Sequence, residues 1–524
     1  MATHKSILKK TIQVGSSTLL SRLLGITREM LQVRYLGLGI ESDAFITAYK
    51  IPNSLRKIFA EGALSAAFIP TIIHLVKHES REQANKLMTA SFLLFEGALA
   101  LVCLGIFLFP YAVLKAIAYG FDDVVIASAV PYLRVLISLI LCISSSALLA
   151  GALQSVHHFL ISALAPAILN LFYISGLVLG IYYNLPVMYL CYWILAGSVV
   201  NFILHIIVYL RYGFGFARPT TDTWQHVRTL LTKFLPFTLS MSVMEINFFI
   251  DTSLASFLAV GSVSLISYGG RLMNIPLGVF ATAFSAILLP HFARVSLYAP
   301  RRLHFYLFEA MKLIIWVTIP ATMLLAYFSP EIFISLFVSK KFPITAVPEA
   351  CAILSAFLVG LCAFSLNKVL LNLYYSLHDT QIPTIVSLLA TAVNVGCDLI
   401  FMHIWGAAGL ALATSLSGIT QTIALLYFLR RRYHFNLYGA YSNRFLLWYG
   451  IQLLLLTPLF MALHFLTKKT IAQLLPLMLT NEQVVSFFMQ GVGFWIWTGP
   501  IVLLFIATLF FTRHIAGYRL FYVE

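Results

Sequence analysis

Long apolar runs separated by short polar connections follow one another from one end of the chain to the other. Each run has 18 or more residues, which as an α-helix is enough to cross roughly 30 Å of hydrocarbon. The pattern therefore predicts an all-α integral membrane protein with fourteen transmembrane helices. They are placed at 11–36, 43–76, 87–110, 125–151, 158–182, 186–210, 229–257, 262–292, 306–329, 347–376, 383–404, 406–429, 444–467 and 487–511.

Composition and charge agree with a membrane bundle. The chain of 524 residues is 60% hydrophobic and 10% charged, with a mean hydropathy of +0.91, whereas soluble domains carry about 25% charged residues. A net charge of +15 would suggest a nucleic-acid partner in a soluble protein. Here the Lys and Arg residues of the connections and termini divide roughly nineteen to five between the two sides. This division predicts two cytoplasmic termini and no nucleic-acid partner.

Two short stretches of the first half recur in the second half at nearly the same offset. The segment 65–70 (SAAFIP) resembles 285–290 (SAILLP), and 155–162 resembles 376–383 around a shared Ser-x-His. Repeats of six spans insert the same way up, so the two halves are predicted to be six-helix lobes related by a pseudo-two-fold axis along the membrane normal. We assign 1–215 to the N-terminal lobe, 216–435 to the C-terminal lobe, and 436–524 to two additional C-terminal helices.

Basic residues lie inside several of these apolar segments. A charge at bilayer depth costs at least about 2.5–3.5 kcal/mol, so such residues usually line a polar cavity. Arg22 and Arg28 are about 120° apart on the first helix and reach one cavity if the helix bends. The alternative is that they extend to opposite membrane interfaces. The cavity interpretation predicts an anion-binding site.

The second span carries both signs of charge. Asp43, Lys50, Arg56, Lys57 and Glu61 all fall within it, and Lys57 and Glu61 have the spacing of a pair on one helix face. An internal ladder of ion pairs is the alternative to a substrate site, and both imply a polar interior.

Acidic residues in other spans have several interpretations. Glu245 and Asp251 on span seven, near the single Arg271 of span eight, are predicted to be counter-ions, a cation site or proton carriers, and the sequence leaves the three open. Glu96 and Asp398 are interpreted as satisfied within helix packing. Three loop histidines are interpreted as solvated, so no metal site is expected.

No catalytic motif is present in the sequence. It contains no P-loop, HExxH, G-x-S-x-G or strand-associated G-x-G-x-x-G pattern. We therefore predict a transporter and not an enzyme, without an organic cofactor. Transport would be driven by an ion gradient, with a monovalent ion as one candidate, by the membrane potential, or by the gradient of the substrate.

Several motifs resemble those of the MurJ (MviN) family of lipid II flippases, within the multidrug/oligosaccharidyl-lipid/polysaccharide exporter superfamily. The similarity runs through all fourteen spans and is most specific in the first seventy residues. The motifs are SRLLGITRE at 21–29, SDAF at 42–45, KIPN at 50–53, RKIFAEG at 56–62, ASFL at 255–258, GSVS at 261–264, RLM at 271–273 and PLGV at 276–279.

This resemblance implies a function and a set of site residues. The chain would flip lipid II, a polyprenyl-diphosphate precursor of peptidoglycan, across the bacterial cytoplasmic (inner) membrane during cell-wall biogenesis, with membrane lipids and the cell-wall synthesis machinery as partners. The final two spans would form a groove for the lipid tail. The implied cavity residues are Arg22, Arg28, Arg56 and Arg271, with the acidic Asp43 and Glu61; Lys50 is added from its position in span two.

One departure and one set of alternatives remain. The family usually has Asp immediately before the span-eight arginine, where this chain has Gly270, so ion coupling through that residue is not carried over. The alternative functions are export of another lipid-linked oligosaccharide and multidrug/ion antiport. An antiporter of cationic drugs would need an acidic cavity, and the predicted one is net basic.

Overall fold

The structure is a computed structural model that describes residues 21, 24–435, 440–478, 482–516 and 518–522. Throughout these residues the long elements are helices, as predicted. The chain divides into two compact units: the first is Met1–Leu265 with Lys340–Phe342, and the second is Ile266–Ser339 with Pro343–Glu524.

The first unit contains eleven helices within the described residues. Two segments, Arg56–Ala63 and Phe92–Glu96, are π-helical and join neighbouring α-helices without a break. The helices are α1 (24–36), α2 (Ile40–Leu55), α3 (Leu64–His78), α4 (Arg81–Ser91), α5 (Gly97–Leu108), α6 (Pro110–Ile117), α7 (Asp123–Ile137), α8 (Leu139–Ser155), α9 (Leu160–Tyr183), α10 (Val187–Arg211) and α11 (Thr221–Ala255).

The boundary between the two units falls within the next helix, so the first residues of that helix belong to the first unit. A third π-helical segment, Leu277–Thr282, and a fourth, Phe333–Phe337, lie in this unit. Its helices are α12 (Ser262–Pro276), α13 (Ala283–Tyr298), α14 (Leu303–Tyr327), α15 (Ser329–Ile332), α16 (Val347–Ser376), α17 (Gln381–Tyr433), α18 (Ala440–Met478), α19 (Glu482–Met489) and α20 (Phe494–Thr512).

Each unit has its own apolar core. In the first, Phe68, Leu87, Leu148 and Tyr209 belong to one buried cluster that joins α3, α4, α8 and α10. In the second, the cluster joins α13, α14, α16 and α17 and extends to Phe435. Many other apolar side chains remain exposed, such as those of Leu101 and Leu454 at 71% and 73%, which suits helices that face lipid.

Ten helices in the described part are long and apolar enough to cross a membrane, so the chain is a multi-pass membrane protein. Nine of the fourteen predicted spans each coincide with one of these helices, and 383–404 and 406–429 together coincide with a tenth. Residues 11–20, 22 and 23 of span 11–36 lie outside the described residues. Spans 43–76 and 229–257 are helical, but their charged residues lower their hydropathy. The total of fourteen stays a prediction.

The longest helix, α17, contains a break. Its 53 residues would extend about 80 Å at 1.5 Å per residue, far more than one crossing needs. At Gly406 the backbone has φ 55° and ψ −130°, a conformation that residues with a Cβ rarely adopt. Two helices of crossing length therefore meet at this residue, where the sequence pattern separates span 383–404 from span 406–429.

The backbone repeats the offset that the sequence motifs show. Asp43 and Ser264 are 221 residues apart, and we call any two positions with this separation equivalent positions of the repeat. A π-helical segment begins at Arg56 and another at the equivalent Leu277. Positive φ angles also recur at equivalent positions, to within one residue. The pairs are Gly39 and Gly261, His157 and His378, Asn184 and Gly406, and Gly213 and His434.

Two loops of the first unit each contact the end of a helix that is distant in sequence. The Gly120 N–H donates a hydrogen bond to the Ser256 hydroxyl at 2.9 Å, just after α11. The Leu38 N–H donates to the Lys341 carbonyl at 3.0 Å, just after α1. Gly120 and Lys341 are equivalent positions, and their partners Ser256 and Leu38 lie within three residues of equivalence. A Cβ at Gly37, where φ is 66°, would lie 2.3 Å from Lys341, so glycine permits this approach.

Candidate functional site

An ion pair joins the second predicted span to the seventh within the first unit. The Lys57 ammonium lies 2.9 Å from Glu245 Oε1, and the Ser54 hydroxyl donates to Glu245 Oε2 at 2.5 Å. Lys57 is on the π-helical segment that follows α2, and Glu245 is on α11. Because both carboxylate oxygens have partners and Glu245 is 8% exposed, the group serves as a buried counter-ion here.

Lys50 lies along the same α11 surface. Its ammonium donates to the Thr252 hydroxyl and lies 3.4 Å from the centre of the Phe248 ring, a cation–π distance. Lys57 is 5.0 Å from the same ring. Glu245 and Asp251 both act electrostatically on Lys50. The two ammonium groups thus share the Phe248 ring and the Glu245 carboxylate.

Arg28 is held by contacts with α9 in the first unit. Its Nη1 donates to Asn170 Oδ1 at 2.9 Å, and its Nη2 pairs with Glu29 at 2.5 Å. The guanidinium also lies 5.2 Å from the centre of the Tyr173 ring. Its Nε is buried without a hydrogen-bond partner among the described residues. The side chain keeps 26% of its surface exposed, so a bound anion has access to it.

Arg56 is positioned by the helix on which it lies. Its Nη2 donates to Asn53 Oδ1 at 2.9 Å, and Arg56 begins the π-helical segment after α2. A π-turn widens the helix by one residue and changes which side chains share a face. Arg56 and Lys57 therefore sit at a local distortion of the helix, a feature that is frequent at functional sites.

Asp43 occupies a fully buried position at the start of α12. Its Oδ2 accepts from the Gly261 N–H at 2.6 Å, and its Oδ1 accepts from the Ser264 N–H at 2.9 Å and from the Ser264 hydroxyl. A carboxylate that accepts backbone N–H groups at a helix start acts as a helix cap. In this conformation Asp43 joins α2 to α12, and its predicted role in substrate binding stays a prediction.

Arg271 belongs to the second unit and lies in the middle of α12. The glycines before it face α16. A Cβ at Gly269 would lie 2.9 Å from Ile353, whereas a Cβ at Gly270 would meet the Phe357 ring at an ordinary 3.7 Å. A Cβ therefore fits at Gly270, where the resemblance leads one to expect Asp, and its nearest neighbour is apolar. Asn274 donates to the Gly270 carbonyl at 2.8 Å.

The predicted residues are only partly gathered into one place. Lys50, Glu245 and Asp251 come together with Lys57 on one surface, and Arg28 lies with α9. Arg22 lies outside the described residues, as does the side chain of Glu61. The sequence reading missed four contacting residues, for which a polar or aromatic residue in an apolar span was the only signal. They are Ser54, Asn170, Phe248 and Thr252.

The cations of the first unit suit an anion better than a metal. Guanidinium and ammonium groups bind phosphate oxygens, and the Arg fork can bind two oxygens at once. Among the described residues no group of three or more His, Cys, Asp or Glu side chains could hold a metal ion. The arrangement can therefore bind and release an oxyanion, with carboxylates that compete for the same cations.

Comparison with known proteins gives consistent results. Residues 32–489 match the profile of a family described as lipid II flippase MurJ. A probable lipid II flippase MurJ of Rhizobium meliloti (strain 1021) is 30% identical over 444 residues, or 82% of each chain. The lipid II flippase MurJ of Burkholderia cenocepacia is 27% identical over 435 residues, which cover 82% of this chain and 84% of the relative.

Solved structures extend the comparison to the fold. A lipid II flippase MurJ in an inward closed conformation superposes with a TM-score of 0.76 at 25% identity, and covers 96% of this chain and 100% of its own. An inward-facing multidrug resistance MATE transporter of the MOP superfamily gives a TM-score of 0.66 at 17% identity, with 80% and 97% covered. The second likeness concerns the fold alone.

Proposed function

The chain belongs to the lipid II flippase MurJ family, a family of transporters and not of enzymes, and from that premise we propose that it moves lipid II from the inner to the outer leaflet. The diphosphate would be held by buried arginines while the two lobes rock in alternating access. The head group would cross inside the protein, and the polyprenyl tail would remain in lipid.

The observation that carries this proposal is the set of partly buried cations in the first unit. Four basic side chains lie in the first two predicted spans within the described residues: Arg28, Lys50, Arg56 and Lys57. Their partners are carboxylates, amides, hydroxyls and aromatic rings, and these contacts can be exchanged for contacts with phosphate oxygens. Lys57 and Arg28 give up an ion pair in that exchange, which makes release of the diphosphate easier.

The repeat supports the two-lobed arrangement. The equivalent residues Asp43 and Ser264 hydrogen-bond to each other, as residues close to a pseudo-two-fold axis do. We propose the lobes as 1–215 and 216–435, with 436–524 as the groove for the lipid tail. Leu455 and Leu459 of α18 and Leu503 of α20 are each at least 65% exposed, which supplies the apolar surface that such a groove needs.

Arginine variants test the proposal in cells whose only lipid II flippase is this protein. The measurement is the accessibility of lipid II to a probe added outside the cell. Arg28→Ala and Arg271→Ala should abolish exposure at normal protein levels in the membrane, because the diphosphate loses a cation. Arg28→Lys should retain part of it, since the charge remains without the two-pronged geometry.

Arg218→Ala serves as the matched control, because Arg218 is an exposed residue of the connection between α10 and α11. It should expose lipid II at the wild-type rate. Persistent exposure in the Arg28 and Arg271 variants would assign those arginines a structural role. Absence of exposure with the wild-type protein would direct attention to another lipid-linked oligosaccharide. Dissipation of the sodium gradient or of the membrane potential in the same assay would identify the energy source.

A further inference from the structure

Glu96 is an acidic residue with a buried carboxyl group, for which the proposed transport mechanism has no role. It lies in the middle of the candidate span Arg81–Leu108. Both of its carboxylate oxygens are buried, and neither has a hydrogen-bond partner among the described residues. A carboxylate in this position would be unstable in its charged form. The interpretation of Glu96 as satisfied within helix packing stays a prediction, and the contacts that act on the carboxyl include two hydroxyls and no cation.

The surroundings of Glu96 supply hydroxyl groups and no cation. Ser144 and Ser145 of α8 lie beside the carboxyl and are themselves buried, at 2% and 7% exposed. The elements packed against this segment are α4, α5 and α8. The titratable groups on them that sense Glu96 are the thiols of Cys103 and Cys142. The negative charge is thus not balanced by any described side chain.

The backbone at Glu96 is distorted. Phe92–Glu96 forms a π-helical segment between α4 and α5, and such single turns are often retained at functional sites. The equivalent position in the second half of the repeat is Val317, within the uninterrupted helix α14. Both the carboxyl and the distortion are therefore confined to the first half of the repeat, although other helix distortions recur in both halves.

We propose that Glu96 is a proton-binding carboxyl, neutral in this packing beside Ser144 and Ser145, and that it exchanges its proton with water when the first lobe opens. The carboxyl O–H bond forms with a proton from water on one side of the membrane and breaks by release to water on the other. A proton suits the site better than a metal cation, because one carboxyl and two hydroxyls offer fewer oxygens than the six or so that hard cations require.

Infrared spectroscopy of the purified full-length protein in lipid nanodiscs tests the proposal without any substrate. Above about pH 6, carboxyls with an ordinary pKa near 4 are ionised, so a remaining C=O band of a protonated carboxyl reports a buried acid. We expect this band in the wild type and a loss of its intensity in Glu96→Gln, which keeps the shape and the neutral charge. Glu82→Gln changes an exposed carboxyl of α4 that pairs with Lys86, and it should leave the band intact.

The coupling to transport rests on the proposed function and needs a second readout. The rate of lipid II exposure in the wild type should change with pH, and Glu96→Gln should give a flat profile because its side chain cannot ionise. If the C=O band is unchanged in Glu96→Gln, Glu96 is not the proton-binding carboxyl. If sodium removes the band from the wild type, the site binds a cation instead of a proton. If the band is present but the rate of lipid II exposure does not depend on pH, proton exchange is refuted. If the Glu96-dependent band is present but the protein exposes no lipid II, the proton site is retained and the proposed function is refuted.

Discussion

The turn after α8 and the turn after α16 have the same backbone and different chemistry. In the first, the N–H groups of residues 156, 157 and 158 donate to the carbonyls of 153, 154 and 153. In the second, the N–H groups of 377, 378 and 379 make the same three bonds at equivalent positions. His158 packs on Tyr212 with ring centres 4.6 Å apart. At the positions equivalent to these two, Asp379 accepts a hydrogen bond from the Tyr433 hydroxyl at 2.8 Å.

This comparison separates what the repeat retains from what it has lost. Main-chain hydrogen bonds and positive φ angles are retained because they determine where helices end. Side chains at the same positions have diverged, since a ring contact and a carboxylate bond can each close the turn. The same holds for the interior. Lys50 and Arg271 occupy equivalent positions, but Lys57 corresponds to Gly278, so the Lys57–Glu245 pair has no counterpart in the second half.

The largest expected effect concerns this unmatched ion pair. Glu245→Gln leaves the Lys57 ammonium without its carboxylate and weakens the bond to Ser54. Loss of one partner of a buried pair costs about 3–5 kcal/mol, and the 38% exposure of the Lys57 side chain reduces our expectation to about 2–3 kcal/mol. Chemical unfolding in mixed micelles measures it. Lys57→Gln combined with Glu245→Gln should recover most of the loss; a double variant that is less stable than Glu245→Gln would refute the pairing.

The repeated helix breaks at Asn184 and Gly406 should respond differently to alanine. Asn184 is in the left-handed region with φ 52° and ψ 44°, which alanine adopts at a cost of about 1 kcal/mol. Gly406 has ψ −130°, which is reserved for glycine, so Gly406→Ala should cost about 2 kcal/mol. No atom outside the immediate chain lies within 4 Å of the added Cβ, so the loss is conformational. Equal thermal shifts for the two variants would contradict this reading.

The two turns should differ in their response to acid. Burial alone would raise the pKa of the Asp379 carboxyl, but the Tyr433 hydroxyl, two backbone N–H groups and a nearby guanidinium hold that pKa below its ordinary value. The contribution of Asp379 is therefore complete above the unfolded pKa of about 4 and is lost as pH falls through the folded pKa. Asp379→Asn should cost about 1 kcal/mol at neutral pH and progressively less in acid, as followed by chemical unfolding at a series of pH values. His158→Asn should show no such convergence with wild type over this acid range.

The smallest effects should come from a polar pair that both halves retain. The Asn201 amide donates to the Ser146 hydroxyl at 3.1 Å, and at equivalent positions the Thr422 hydroxyl donates to Asn367 Oδ1 at 2.8 Å. Interhelical bonds of this kind in membranes average about 0.6 kcal/mol. Ser146→Ala and Thr422→Val should each lower the free energy of unfolding by about that amount. A severalfold difference between them would show that the two halves do not use the pair equally.

Much of the helical architecture could be predicted from the sequence, because each apolar segment carries its own signal. The segment boundaries at α9, α10 and α16 agree with the structure to within a few residues, and the repeat is visible in short motifs. The π-helical segments are not predictable in this way. Arg56–Ala63 and Phe92–Glu96 have ordinary helical residues, and their distortion depends on packing against other helices.

The candidate site was less predictable, because its contacts join residues that are far apart in the chain. The spacing of Lys57 and Glu61 suggested a pair on one helix, whereas the structure pairs Lys57 with Glu245, 188 residues away. The sequence predicts that a charge inside a span needs an oppositely charged or hydrogen-bonding partner. It does not predict which helix provides that partner.

The contact of Leu38 with Lys341 has a consequence for the order of events during synthesis. The first unit includes Lys340–Phe342, so it cannot be completed when the ribosome has reached only Leu265. The loop at Gly120 can meet Ser256 early, but its counterpart at Leu38 must wait until the growing chain includes Lys341. At about 5–20 residues per second that interval lasts several seconds, during which the end of α1 remains available to membrane insertion factors and chaperones.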